Sequence, residues 1–187
     1  MFRKRNVVYL FVLLALTMTL TGCFGSKEQS IDDFLKEISK AYKNLDVERV
    51  MSLTYFPNTE EGQIAKNEMK QFFEDDFSIF RMLKADVEYK IEPAKDEDAI
   101  IIDGDEAVIR KGTITLKVSF DLEHLNNLIE EETDEDMQDT LEDILNGYPE
   151  GEFEQIGRIG EDDDADIAPM HLIRIGGKWK INALYED

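Results

Sequence analysis

The chain has 187 residues and a mass of 21.6 kDa, the length of about one domain. Its 21 Lys and Arg face 42 Asp and Glu, a formal net charge of -21 that argues against nucleic acid as a partner, because phosphate binding draws on clustered cations. Apolar residues at 42% supply a core, one cysteine excludes an internal disulfide, and that Cys with two His is too little for a structural zinc site.

Arg3, Lys4 and Arg5 form a basic start, and Val7 to Leu20 is an uncharged, mainly apolar run of 14 residues. That run is short of the ~20 residues a permanent transmembrane helix needs. Leu20-Thr21-Gly22-Cys23 follows at once. The order resembles the signal peptide and lipobox of bacterial lipoproteins. The resemblance implies that residues 1–22 are removed, that Cys23 is the lipid attachment site, and that residues 23–29 are a lipidated tether. It also implies that the body sits on the extracytoplasmic side of the cell membrane. Two long acyl chains anchor stably where one holds only reversibly. Phe24 stands where that family often has the Asp that retains a lipoprotein in the inner membrane of a double-membraned bacterium. The trimmed chain carries 18 basic and 42 acidic residues, net -24. Anionic headgroups repel such a body, so the lipid alone must hold it.

Ser30 and Asp33 form a capping-box pattern, and Ile31, Phe34, Leu35, Ile38, Ala41, Tyr42 and Leu45 follow with helical spacing. Asp46 caps a second short helix that carries Val47, Val50 and Met51 and ends before Pro57. A third helix is predicted over Glu60 to Phe73, burying Ile64, Ala65, Met69, Phe72 and Phe73, with Phe77, Phe80 and Leu83 continuing the apolar face into a turn.

The period then changes from 3.6 to 2. Val87, Tyr89 and Ile91 alternate with Asp86, Glu88 and Lys90 up to Pro93. Ala99 to Ile102 and the turn signal Asp103-Gly104 start a hairpin, whose return strand is predicted to run from Ala107 to Phe120 with a bend at Gly112. A last hairpin joins Met170–Ile175 to Lys178–Leu184 through Gly176-Gly177. Helices followed by antiparallel strands mean an α+β fold.

Between the hairpins, residues 121–166 hold 19 acidic side chains against one basic, Arg158, and so carry -18 of the net -24. Leu122, Leu125, Leu128 and Ile129, then Met137, Leu141, Ile144 and Leu145, predict two short helices, with Gly147 to Asp166 expected to be mobile.

The segments AYKNLDVERVMSLTY (41–55), DGDEAVI (103–109) and GGKWKINAL (176–184) resemble the nuclear transport factor 2-like, or cystatin-like, superfamily. That resemblance covers residues 30–120 and 167–185. It implies N-terminal helices packed on a curved, cone-like antiparallel sheet within one domain spanning 30–187, with the acidic segment as a partly helical insertion before the last hairpin. It also implies a pocket on the concave face, for which Tyr89, Phe120 and Trp179 are candidate lining residues.

Enzymes of that superfamily use a buried Asp, His or Tyr. The inward positions here (Val87, Tyr89, Ile91, Ile114, Leu116, Val118, Phe120, Trp179, Ile181 and Ala183) include no carboxylate or His, so no catalytic residue is assigned. His124 reads as a solvated surface residue, and His171 as a partner for a nearby carboxylate. The chain has no Gly-x-Ser-x-Gly elbow and no Walker loop. Asp162, Asp164 and Asp166 are weak candidates for calcium, but an EF-hand loop begun at Asp162 would place Ile167 and Ile173 where Gly and Glu belong. No cofactor is expected. The expected function is non-catalytic binding of a protein or an apolar small ligand. An isomerase- or dehydratase-like enzyme of the same fold and a calcium-responsive surface protein are the alternatives.

Overall fold

A computed structural model describes residues 28–162 and 164–184; the signal segment, Cys23 and most of the tether lie outside the described residues. Among the described residues, five helices and eight strands make an α+β fold. They are α1 (Ile31–Lys43), α2 (Val47–Ser52), β1 (Thr54–Tyr55), α3 (Glu60–Met82), β2 (Asp86–Pro93), β3 (Ile100–Asp103), β4 (Glu106–Ile109), β5 (Gly112–Ser119), α4 (Leu122–Glu131), α5 (Glu135–Gly147), β6 (Glu152–Ile159), β7 (Met170–Ile175) and β8 (Lys178–Asn182). None of the described helices is long and apolar enough to cross a membrane.

The helix starts are set by side-chain caps. Ser30 Oγ accepts the Asp33 N–H at 3.1 Å, Asp46 Oδ1 that of Arg49 at 2.9 Å, and Thr59 Oγ1 that of Gly62 at 3.1 Å. The third helix is longer than its expected end at Phe73, because Phe73 and Phe77 lie one turn apart and both are buried. Adjacent residues cannot share a helix face, so Phe72 is 58% exposed, and Ile64 is exposed as well, against expectation for both.

The strands form a five-stranded sheet, in the order β1-β8-β7-β4-β3, and a three-stranded sheet, in the order β2-β5-β6. Every strand pair is antiparallel except the edge pair β1–β8. The long return strand is split: β4 belongs to the first sheet and β5 to the second, with the corner at Arg110-Lys111. Gly112 is needed there because Pro93 pairs opposite it, and a Cβ on Gly112 would lie 2.6 Å from the Glu92 carbonyl oxygen. The last hairpin turns through Gly176 and Gly177, at φ 60° and 78°, the left-handed pair that a two-residue turn requires.

The buried face of α1 (Phe34, Leu35, Ile38 and Ala41) packs in one core with Val87, Ile91 and Val118 of the smaller sheet and Ala107, Leu172 and Trp179 of the larger. The acidic segment has a core of its own. Leu125 of α4 and Leu141 of α5 close on Leu83 at the end of α3, with Phe120 packed against both clusters. Its second part departs from the mobile chain expected over Gly147 to Asp166, since Glu152–Ile159 is strand β6, paired along the whole of β5. The turn into β6 is fixed by Phe120 N–H donating to the Gly151 carbonyl at 2.8 Å and by stacking of Tyr148 on Phe153 at 4.7 Å.

Candidate functional site

The inward face of the sheets is where the sequence places a pocket, and helix side chains fill most of it. Tyr42 of α1 stacks on Tyr89 of β2, with ring centroids 3.9 Å apart and planes within 10°. Phe73 and Phe77 of α3 meet Tyr42 edge-on, each at 5.6 Å. Beside Tyr42, Tyr89 and Phe73 lies a small, partly open cavity of about 130 Å³, lined also by Thr54 and Met69. Ligand sites for drug-sized molecules run from about 300 to 1,000 Å³.

The three candidate lining residues are not brought together. Tyr89 borders the cavity. Phe120 lies where the main core meets the core of the acidic helices. Trp179 is 3% exposed, its backbone N–H donates to Gln29 Oε1 at 3.0 Å, and the Arg174 guanidinium sits 4.9 Å from its ring centroid.

The sequence reading missed Tyr42 as the partner of Tyr89; its place on the apolar stripe of α1 was the available signal. Burial raises the Tyr42 hydroxyl well above its usual range, and the neighbouring Tyr89 hydroxyl and the charge of Asp76 add to this. Burial also pushes Tyr89 up to about 12, against the hydrogen bond from Tyr42, which pulls it down. At neutral pH both hydroxyls are therefore protonated. Asp76 of α3 is itself raised by partial burial and by Asp75 beside it. Thr54 Oγ1 donates to the Val50 carbonyl at 3.3 Å and so is satisfied within the fold.

A second concavity, open and about 610 Å³, lies at the corner between the sheets, where Arg110 and Lys111 meet Arg158. Each of these cations has a carboxylate partner. Arg110 holds Glu161 through Nε at 2.8 Å and Nη2 at 2.6 Å, and Lys111 Nζ donates to Asp98 at 2.8 Å. These bonds hold Glu161 and Asp98 below the usual carboxylate range. The acidic candidates for calcium belong to the same corner. Asp162 Oδ1 accepts from Arg158 Nη2 at 3.0 Å, Asp164 lies 3.9 Å from that nitrogen, and Asp166 Oδ2 accepts the Arg158 backbone N–H at 2.9 Å. The three carboxylates thus surround a guanidinium and its backbone, and no group of three potential ligands placed to hold a metal occurs among the described residues.

His124 is half-buried, not solvated as expected. Its Nε2 lies 3.0 Å from the Met82 carbonyl oxygen and joins α4 to the end of α3. His171 of β7 stands opposite Val108 of β4 and faces the concavity bordered by Ala165 to Pro169. Comparison with known proteins finds no family model, no curated protein and no solved structure that matches this chain.

Proposed function

We propose that this chain is a lipid-anchored, extracytoplasmic binding module whose ligand is a basic protein and whose work involves no covalent chemistry. The observation that supports a protein partner over a small molecule is that the interior beside Tyr42, Phe73 and Tyr89 keeps only about 130 Å³, while the larger concavities, such as the one of about 770 Å³ along Leu35, Tyr89 and Ile91, are open and rimmed by charged side chains. The partner's sign follows from the charge, since residues 121–166 carry -18 and their two helices fold as a hairpin against α3. Exposed Glu130, Glu131, Asp139, Glu142 and Asp143 are thereby presented on a defined surface. Such a field raises encounter rates with a cationic surface and loses that effect as salt screens it. The anchor rests on the Leu20–Cys23 pattern.

The test compares the parent with a variant in which those five residues become Gln or Asn, both as full-length anchored chains. Partner capture from native membranes by the parent should exceed that of the variant about tenfold at low salt, and the two should converge at high salt. Equal capture at every ionic strength overturns the acidic docking surface. Mass spectrometry of the protein made by its host should find Cys23 acylated at a new N-terminus; an intact, unmodified chain overturns the anchor.

A further inference from the structure

The first described residues are fastened to the last hairpin. Gln29 N–H donates to the Gly177 carbonyl at 3.2 Å, and Gln29 Oε1 accepts the Trp179 N–H at 3.0 Å. Beside them Arg174 of β7, its side chain only 18% exposed, bonds Glu28 at 2.7 Å, Asp105 at 2.9 Å and the Gly104 carbonyl at 2.7 Å. One amide and one guanidinium thus tie the entering chain to both turn tips of the larger sheet, Gly104-Asp105 and Gly176-Gly177. A charge-assisted fork mostly out of water holds its geometry better than an exposed ion pair.

Helix α1 begins directly after this clip, at Ile31, and its 13 residues rise about 20 Å. Past its far end Arg81 Nη2 donates to the Leu45 carbonyl at 2.6 Å, so the end of α3 lies there. Leu83, two residues on, packs with Leu125 and Leu141 of the acidic hairpin. The clip and the hairpin therefore stand at opposite ends of α1. Only Phe24 to Lys27 separate Cys23 from Glu28, so the five steps between them span at most about 18 Å. That reach is less than the length of α1.

We infer that the end of the larger sheet formed by the Gly104-Asp105 and Gly176-Gly177 turns faces the lipid surface, with the acidic hairpin carried at the end of the body away from it. This orientation rests on the Cys23 anchor proposed above and goes beyond it by naming the face that the bilayer covers. Two independent constraints give the same direction. The short tether keeps the clip within about 18 Å of the acylated cysteine. The charge of -18 on residues 121–166 is repelled by anionic headgroups, which opposes any tilt that would lay the hairpin on the bilayer. The end that carries the clip presents Lys36 and Lys178 among Glu28, Asp33 and Glu37, a nearly balanced set, so little repulsion opposes its approach. A cationic partner then meets the acidic surface from the aqueous side, without first displacing lipid.

The test uses the full acylated chain in vesicles of phosphatidylcholine and phosphatidylglycerol. Acylated Cys23 has no free thiol, so one introduced cysteine takes a single fluorescent label. Nitroxide-headgroup lipid should quench a label on Lys178→Cys several-fold more than one on Asp139→Cys in the hairpin. Lys36→Cys, exposed at the same end as Lys178, repeats the readout if the turn is disturbed. A Gly-Ser spacer of about 12 residues inserted after Ser26 adds roughly 19 Å of mean reach and leaves the clip intact. It should lower quenching at position 178 to near that at position 139. Flotation of the same vesicles reports the anchor, with Cys23→Ser expected to stay in the aqueous phase. A chain that floats but shows equal quenching at the two ends, or stronger quenching at position 139, overturns the orientation and leaves the anchor standing. Quenching at position 178 that the spacer does not change also overturns it. A parent chain that does not float, with Cys23 unmodified by mass spectrometry, overturns both.

Discussion

Tyr89 lies with its ring flat on Tyr42, so removing a proton would leave a charge between rings and aliphatic side chains with little water to solvate it. Its folded pKa, about 12, stands above the unfolded value of 10.0. The stabilisation is therefore complete below about pH 10 and is lost as pH rises through about 12, because the unfolded chain gives up the proton first. Two pKa units correspond to about 2–3 kcal/mol. Urea unfolding at stepped alkaline pH should show the parent losing about that much more stability than Tyr89→Phe between pH 9 and 12. Parallel curves for the two proteins would contradict the assignment. That Tyr89 faces inward was legible in the alternation with Glu88 and Lys90. That it stacks on Tyr42 was not, since residues 47 positions apart meet only through the crossing of α1 over β2. Phe72 and Phe73 show the same limit: the sequence marks both as apolar, and only the helix phase shows which one the core takes.

The acidic helices α4 and α5 illustrate how composition can conceal structure. Their periodic leucines were readable, and both helices form with Asp121 and Asp134 as caps. Strand β6 was not readable, because the face that carries Phe153 and Ile159 also carries Gln155, which is exposed, and Gly157, so its apolar residues do not alternate regularly. Its pairing is dictated by β5, a tertiary demand that overrides a weak local pattern. The hairpin's core is small, built on Leu83, Leu125 and Leu141. Leu141→Ala should cost about 2–5 kcal/mol, a loss carried mainly by the hairpin and not by the whole fold. Hydrogen exchange should show amides of α4 and α5 exposed by local opening, while those of β2 and β5 keep their protection. A uniform loss of protection across both regions would show that the two cores unfold together.

On the scale of the whole molecule, repulsion between like charges governs the electrostatics. A chain of net -21 is compressed against its own repulsion on folding, and most of the ion pairs among the described residues are solvent-exposed, where each contributes little. Thermal unfolding should therefore move upward as sodium chloride rises through about 0.1 to 0.5 M, over the range where the Debye length falls below about 10 Å. A melting temperature that falls over this range would mean that the paired charges at Arg110, Arg158 and Arg174 outweigh the repulsion. The α+β order was readable across the chain, yet the division into two sheets was not: the bend at Gly112 and the change of apolar parity there mark a break between Ala107–Ile109 and Ile114–Phe120, but not which sheet each half will join. The corner at Arg110-Lys111 has a mechanical meaning. The backbone that leaves the larger sheet there is the backbone that enters the smaller one, and it is braced by Glu161 on one side and Asp98 on the other. Because the core under α1 also spans both sheets, this corner is a second tie between them, and it joins the smaller sheet, with β6 and the acidic hairpin beyond it, directly to β4.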